Sequence, residues 1–221
     1  MVPPIILLTF YQQVFSRITI VVINQANGRQ GKARNAAMAI AKGEYIGMID
    51  SDDYIPANYF EKLYNAALTN NAEIAICGII KEKPAGNRTV IEFKESTVAT
   101  TTQEKLQVCK CPPEFHPVNK LYSREMLERI GLRFAEGVQY EDVMFVFRAI
   151  CESNRLVTVP DICYRYVLNS SSTVKSKQTE AKQLQKYSAH KAMTDYAEQN
   201  GITIPNRYKN LTVTHKSISG I

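Results

Sequence analysis

Apolar residues recur along the chain in two rhythms, one of strands and one of helices. Ile18-Thr19-Ile20-Val21-Val22-Ile23 is β-branched and apolar almost throughout, the pattern of a strand buried on both faces. A glycine-containing loop, Asn24 to Gly31, follows. Ala33 to Ala41 is alanine-rich and helical, and Gly43 stands where a left-handed stop is expected. Tyr45 to Ile49 predicts the next strand. Pro56 fits the first turn of a helix running to about Thr69, with Phe60, Leu63, Ala67 and Leu68 on one side. Ala72 to Ile80 predicts a third strand. This β-α-β-α-β order implies an α/β fold: a mostly parallel central sheet flanked by helices, with right-handed crossovers.

The middle of the chain is less regular. Pro84-Ala85-Gly86-Asn87 predicts a turn between two short strands, and Val90 to Phe93 alternates as a strand does. Ser123 is placed to cap a short helix, Arg124 to Ile130, which Gly131 stops. Glu141-Asp142 opens another helix, with Phe145, Val146, Ala149 and Ile150 apolar. Tyr164 to Val167 predicts a final short strand. Gln178 to Gln199 predicts a polar helix, and the residues after Gly201 read as a loose tail. The resulting division is a domain over 17–174 and a basic helical extension over 175–221.

Composition narrows the class. A chain of 221 residues buries a sizeable core as one α/β domain with an extension. Its five cysteines are scattered; only Cys109 and Cys111 lie close, with no second cluster to complete a zinc site. They read as reduced thiols of a cytoplasmic protein. The apolar run Ile5 to Phe10 is too short to span a bilayer and lacks the flanks of a signal peptide. The net charge of +6 is concentrated at the C-terminal end, where Lys175, Lys177, Lys182, Lys186, Lys191, Arg207, Lys209 and Lys216 face Glu180, Asp195 and Glu198. Such a helix either rests on anionic headgroups at the inner face of a membrane or is a solvated face, the commoner use of lysine-rich surface. No basic-aromatic motif points to nucleic acid.

The chemistry concentrates at Asp50-Ser51-Asp52-Asp53, after the predicted strand Tyr45 to Ile49. Three carboxylates within four residues repel one another unless something positive sits among them. Hard oxygen donors suit Mg²⁺ or Mn²⁺, and in open α/β sheets ligands bind at the carboxyl ends of strands. The competing reading is an acidic cap for the next helix, since Asp is favoured in first turns. Glu141 and Asp142 have the same inexpensive structural explanation.

Seven segments in order resemble the family 2 glycosyltransferases: Asn27-Gly28, Ala33-Arg34-Asn35, Gly43-Glu44-Tyr45-Ile46 and Asp50-Ser51-Asp52-Asp53, then Asn119-Lys120-Leu121-Tyr122, Gly131-Leu132-Arg133-Phe134 and Tyr140-Glu141-Asp142-Val143-Met144-Phe145. Asn169-Ser170-Ser171-Ser172 after Tyr164-Arg165-Tyr166 looks like the family's closing strand and loop, so the likeness covers about residues 18 to 174. The resemblance implies a nucleotide-diphospho-sugar transferase fold. It also implies inverting, metal-dependent transfer of a sugar to a hydroxyl of a glycan or lipid-linked glycan, in bacterial capsule or other surface polysaccharide. Asp50 and Asp52 match the pair that holds the cation, Mn²⁺ or Mg²⁺, and the donor diphosphate. Asp53 is either a further metal ligand or a partner of one. Arg34 matches the arginine that reaches the nucleotide, a task suited to its planar fork of donors; the alternative is a surface arginine. Asp142 matches the catalytic base, Glu141 orients the loop or the acceptor, and Asn119 and Lys120 line the donor pocket, unless Lys120 is a solvated charge. A non-catalytic domain binding a partner transferase or a glycan uses the same scaffold. A nucleotidyltransferase needs a glycine-rich basic phosphate loop that the sequence lacks.

The chain also departs from the pattern. Members begin with a strand, a helix and a second strand ending in a loop that carries the base-reading aspartate; here Ile18 to Ile23 corresponds to the strand after it, and residues 1 to about 16 match nothing in the family. A sheet lacking two strands has a bare edge, and weak or no turnover is expected. Met1 to Leu7 accept the codons ATG GTT CCA CCG ATA ATT CTN, and in another frame this string encodes Gly-Ser-Thr-Asp-Asn-Ser, the wording of the missing loop. A frameshift is therefore expected, with a second shift between Gln12 and Arg17. The nucleotide sequence of the gene checks this: an upstream open frame encoding the two strands supports it, and its absence ends it.

Overall fold

The computed structural model describes residues 6–9, 19–83, 86–168 and 179–209. Its centre is a six-stranded sheet built on two long strands, β4 (Ile74–Glu82) and β8 (Leu156–Val167), paired in parallel. On the other side of β4 lie β7 (Lys120–Ser123) and, further along the same strand, β5 (Arg88–Ile91), both antiparallel. β3 (Tyr45–Gly47) pairs with β7 and β6 (Val98–Ala99) with β8, again antiparallel. The α/β class is as expected, and β3, β4 and β8 run the same way. The sheet is mixed, however, rather than mostly parallel, because β7 inserts between β3 and β4.

The predicted first strand is placed differently. β2 (Thr19–Val22) pairs with β1 (Ile6–Thr9) in a separate two-stranded sheet. No described element covers it: Ile20 is 60% and Val22 56% exposed. A continuous apolar run signals a doubly buried strand only where helices cover both faces.

Most helices fall close to the predicted positions. They are α1 (Arg29–Ile40), α2 (Tyr59–Thr69), α3 (Thr102–Val108), α4 (Arg124–Arg129), α5 (Glu141–Glu152), α6 (Glu180–Gln199) and α7 (Asn206–Lys209). α1 ends at Ala41 in an extended conformation, so Gly43 is not its left-handed stop. Ser123 caps α4 by accepting from Met126 N–H at 3.2 Å, and Gly131 follows at φ +59. α3 was not expected. Its capping box, Thr101 with Glu104, is a spacing the sequence displays. Within the predicted loose tail the described residues include α7, and Ile204 before it and Tyr208 within it are buried. Pro84, Ala85, the 169–172 loop, Lys175, Lys177 and Lys216 lie outside the described residues.

α2 covers the sheet with Tyr59, Leu63 and Ala67; Tyr59 meets Tyr164 of β8 edge to face at 6.3 Å. α5 is apolar on nearly all sides, and its Phe145 packs on Tyr122 of β7 and stacks on Phe134 at 3.7 Å. Buried Lys105 donates to the carbonyls of Cys151 and Ser153 at the C-terminal end of α5, the end where a cation is favoured. α6 packs on α5 through Tyr196 against Phe147 and Arg148. The five cysteines are free, and burial pushes the Cys77, Cys109 and Cys151 thiols up to about 12, which leaves them unreactive. No helix among the described residues is long and apolar enough to cross a membrane.

α1 is laced to the segment that leads into α5. Asn35 accepts from Phe134 N–H and donates to the Phe134 carbonyl, both at 2.9 Å, and Gly137 N–H donates to the Gly28 carbonyl. Gly31 makes the approach possible, since a Cβ there runs into the Ala135 carbonyl oxygen. Gly31→Ala is therefore expected to destabilise the fold by about 1–3 kcal/mol, despite alanine's better helix propensity. Urea unfolding of the two proteins checks this; an alanine variant as stable as the parent contradicts it.

Candidate active site

Three segments meet at one guanidinium. Arg34, on α1, is 7% exposed. Its Nη2 donates to Asp50 Oδ1 at 2.8 Å, and its Nη1 donates to Glu141 Oε1 at 3.1 Å. The guanidinium lies 5.3 Å from the Phe134 ring centroid, above the ring that stacks on Phe145. A buried arginine is tolerated when carboxylates pair with it. Burial alone lowers its pKa, but Asp50, Glu141 and Asp142 outweigh that and raise it, so the charge is fixed. Arg34 is thus neither a surface arginine nor an open fork: it ties the acidic loop to the start of α5.

The acidic loop follows β3 and is anchored on β8. Asp50 N–H donates to the Tyr164 hydroxyl at 3.0 Å, and that hydroxyl donates to Asp53 Oδ2 at 2.8 Å. Val167 N–H donates to Asp53 Oδ1 at 2.8 Å. Asp53 N–H closes a turn on the Asp50 carbonyl, and Tyr54 and Arg165 exchange backbone hydrogen bonds immediately after it. Burial pushes the Asp53 carboxyl up to about 6, against the pull of the Val167 and Tyr164 hydrogen bonds. Both Asp53 oxygens face the scaffold, so of the two roles open to it the partner role fits. Asp52 is exposed and has no hydrogen-bond partner among the described residues.

Asp142 stands beside Glu141 in the first turn of α5, which begins at Tyr140 in the left-handed conformation with no side-chain cap. Burial and the adjacent Glu141 charge push the Asp142 carboxyl up to about 6, while Arg34 and two backbone N–H groups pull it down. The result is a carboxylate still ionised at neutral pH yet more basic than usual.

Asn119 and Lys120 are placed elsewhere. Both are fully buried, and Lys120 Nζ donates to the His116 carbonyl at 2.6 Å and to Asn119 Oδ1 at 2.9 Å. Asn119 donates to the Cys77 carbonyl at 2.6 Å. Burial lowers the Lys120 pKa. Lys120 is thus no solvated charge, and no hydrogen bond or ion pair joins either residue to Arg34, Asp50 or Asp142 among the described residues. Their bonds hold the segment before β7 against β4, which is a structural task rather than a donor pocket. The sequence marks Tyr164 only as part of the closing strand, with no sign of its bonds to Asp50 and Asp53, and it shows Asn35 and Phe134 only as members of two separate motifs.

Among the described residues no group of three His, Cys, Asp or Glu side chains converges as a metal cage. Mg²⁺-type ions, however, are commonly held by one or two carboxylates together with substrate phosphates and water. With Asp53 engaged by Tyr164 and Val167, Asp50 and Asp52 fit that limited donor set.

The family described as Glycosyl transferase family 2 matches residues 6–131; it therefore takes in residues 6–16, correcting the expectation that residues 1 to about 16 match nothing in the family. The uncharacterized glycosyltransferase EpsJ of Bacillus subtilis is 33% identical over 156 residues, which cover 68% of this chain and 45% of EpsJ. The poly(ribitol-phosphate) β-N-acetylglucosaminyltransferase TarS of Staphylococcus aureus is 30% identical over 143 residues, 63% of this chain and 24% of TarS. The crystal structure of S. aureus TarS 1–349 with UDP-GlcNAc has the same fold, with a TM-score of 0.65 at 21% identity, over 78% of this chain and 48% of that one. The chain spans less than half the length of these relatives.

The site makes a direct prediction. A carboxyl NMR titration should give Asp142 a midpoint near 6, well above the ordinary Asp value of about 3.9. Glu141→Gln removes a neighbouring negative charge and should move that midpoint down. A midpoint at the ordinary value in the parent chain contradicts the geometry.

Proposed function

Because the chain belongs to glycosyl transferase family 2, we propose that it transfers a sugar from a nucleotide-sugar donor to a hydroxyl acceptor in cell-surface polysaccharide synthesis, inverting the anomeric centre with the help of Mn²⁺ or Mg²⁺. The observation that carries this reading is the Arg34 bridge, which sets the acidic loop beside the helix start that bears Asp142. A loop with Asp50 and Asp52 on one side and a half-buried carboxylate on the other has the parts of a leaving-group site and a base.

Asp50 and Asp52 would hold the cation between the loop and the donor diphosphate. When bound, such a cation neutralises charge on the departing nucleoside diphosphate. Asp142 takes the proton of the acceptor hydroxyl while that oxygen attacks the anomeric carbon from the face opposite the diphosphate. A base with its pKa raised toward 6 suits this work at neutral pH. Arg34 keeps Asp50 in place and, with Glu141, holds the first turn of α5 against the loop. UDP is the reasonable first nucleotide to test, because TarS has been crystallised with UDP and with UDP-GlcNAc.

Calorimetric titration of the chain with Mn²⁺ and UDP tests the reading. The parent chain is expected to bind UDP only with the metal, and Asp52→Asn is expected to lose that binding. Asp142→Asn should bind Mn²⁺ and UDP as before and lower whatever transfer the parent chain shows by roughly 10²–10⁴-fold, the usual contribution of a positioned base. A parent chain that binds no nucleoside diphosphate with Mn²⁺ overturns the proposal in favour of a non-catalytic binding domain.

A further inference from the structure

The acidic loop is better anchored than its motif suggests. The anchor comes from a strand 114 residues away in sequence. We propose that Tyr164 is a positioning residue for the donor loop: its hydroxyl, with Asp53 as its partner, fixes the backbone that carries Asp50 and Asp52, and Asp53 serves this clamp rather than the cation. The inference rests on the reading of the loop as the metal–diphosphate site.

The geometry uses the hydroxyl completely. It accepts from Asp50 N–H at 3.0 Å and donates to Asp53 Oδ2 at 2.8 Å, while the other Asp53 oxygen accepts from Val167 N–H at 2.8 Å. A hydroxyl has one proton to give, and here it goes to Asp53. The clamp therefore has a fixed direction, from the Asp50 amide through Tyr164 to the carboxylate. Tyr164 is fully buried and its ring rests against Tyr59, whose own hydroxyl donates to the Val118 carbonyl at 2.9 Å. Through this one oxygen atom the Tyr59–Tyr164 pair of the core meets both Asp50 and Asp53. The same arrangement divides the three aspartates: Asp53 has both oxygens engaged by β8, whereas Asp52 is exposed.

Tyr164→Phe keeps the ring and deletes the oxygen, leaving the Asp50 amide and one Asp53 oxygen without their partner. Tyr59→Phe is the control, since it removes an equally buried hydroxyl that does not touch the loop. Two measurements are made on the full chain: amide hydrogen exchange at Asp50, and affinity for UDP in the presence of Mn²⁺. Tyr164→Phe is expected to lose Asp50 protection and to weaken Mn²⁺-dependent UDP binding about tenfold, the equivalent of one buried hydrogen bond. Tyr59→Phe should keep Asp50 protected even where its melting temperature falls as far. Asp53→Asn should weaken binding no more than Tyr164→Phe does, because an amide oxygen still accepts from Val167 N–H, whereas Asp52→Asn abolishes it.

Parent-like Asp50 protection or parent-like binding in Tyr164→Phe overturns the proposal. So does Asp53→Asn behaving as badly as Asp52→Asn. If Tyr164→Phe does not fold, the comparison of Asp53→Asn with Asp52→Asn decides. If the parent chain binds no UDP with Mn²⁺, the proposed function fails, and Asp50 exchange in Tyr164→Phe still settles whether the clamp exists.

Discussion

The site depends on one buried charge. Arg34 is almost wholly removed from water and is satisfied by Asp50, 16 residues away, and Glu141, 107 residues away. Leaving a guanidinium there with either carboxylate missing costs several kcal/mol, so α1, the loop after β3 and the start of α5 have to meet at this point. The surrounding contacts serve the same meeting. Gly31 lets α1 close on the Ala135 carbonyl, Asn35 clasps Phe134 from both sides, and Phe134 lies between the Arg34 guanidinium and the Phe145 ring.

The same bridge explains why the acids at the start of α5 do two things at once. A helix whose N-cap, Tyr140, sits in the left-handed region without a side-chain cap benefits from acids in its first turn. Glu141 and Asp142 fill that structural need, but their environments differ. Glu141 faces Arg34 and is held by it, whereas Asp142 carries the cost of burial beside a like charge and is pushed up to about 6. Two adjacent carboxylates of which only one is paired with the guanidinium are a way to hold one in place and leave the other ready to accept a proton.

What the sequence made legible follows from local rules. Ser123 at a helix start, Gly131 after a helix and acids in a first turn obey short-range chemistry, and the structure has them where expected. The motif carrying Asp50, Asp52 and Asp53 was legible as a loop after a strand for the same reason. Long-range placement was not. That β7 enters between β3 and β4 depends on pairing across some fifty to eighty residues, and it turns a mostly parallel expectation into a mixed sheet. For Lys120 the sequence offered a donor pocket or a solvated charge, because lysine is rarely buried; only the coincidence of the His116 carbonyl and Asn119 Oδ1 makes its burial tolerable. The run Ile18 to Ile23 carried a burial signal, and β2 lies apart from the main sheet, because a run of apolar residues does not say what will cover it.

β3 is a three-residue strand at the end of its sheet and pairs with β7 alone among the described residues. So short an edge strand cannot hold the loop that follows it in a defined position through its own ladder. The loop must take its geometry from elsewhere, and β8 supplies it at three residues: Tyr164 through its hydroxyl, Arg165 through backbone bonds to Tyr54, and Val167 through its amide to Asp53. β8 is in turn fixed along its length by β4, the most buried strand of the sheet. The placement of Asp50 and Asp52 is thus decided at the centre of the sheet, although their sequence neighbours lie at its edge.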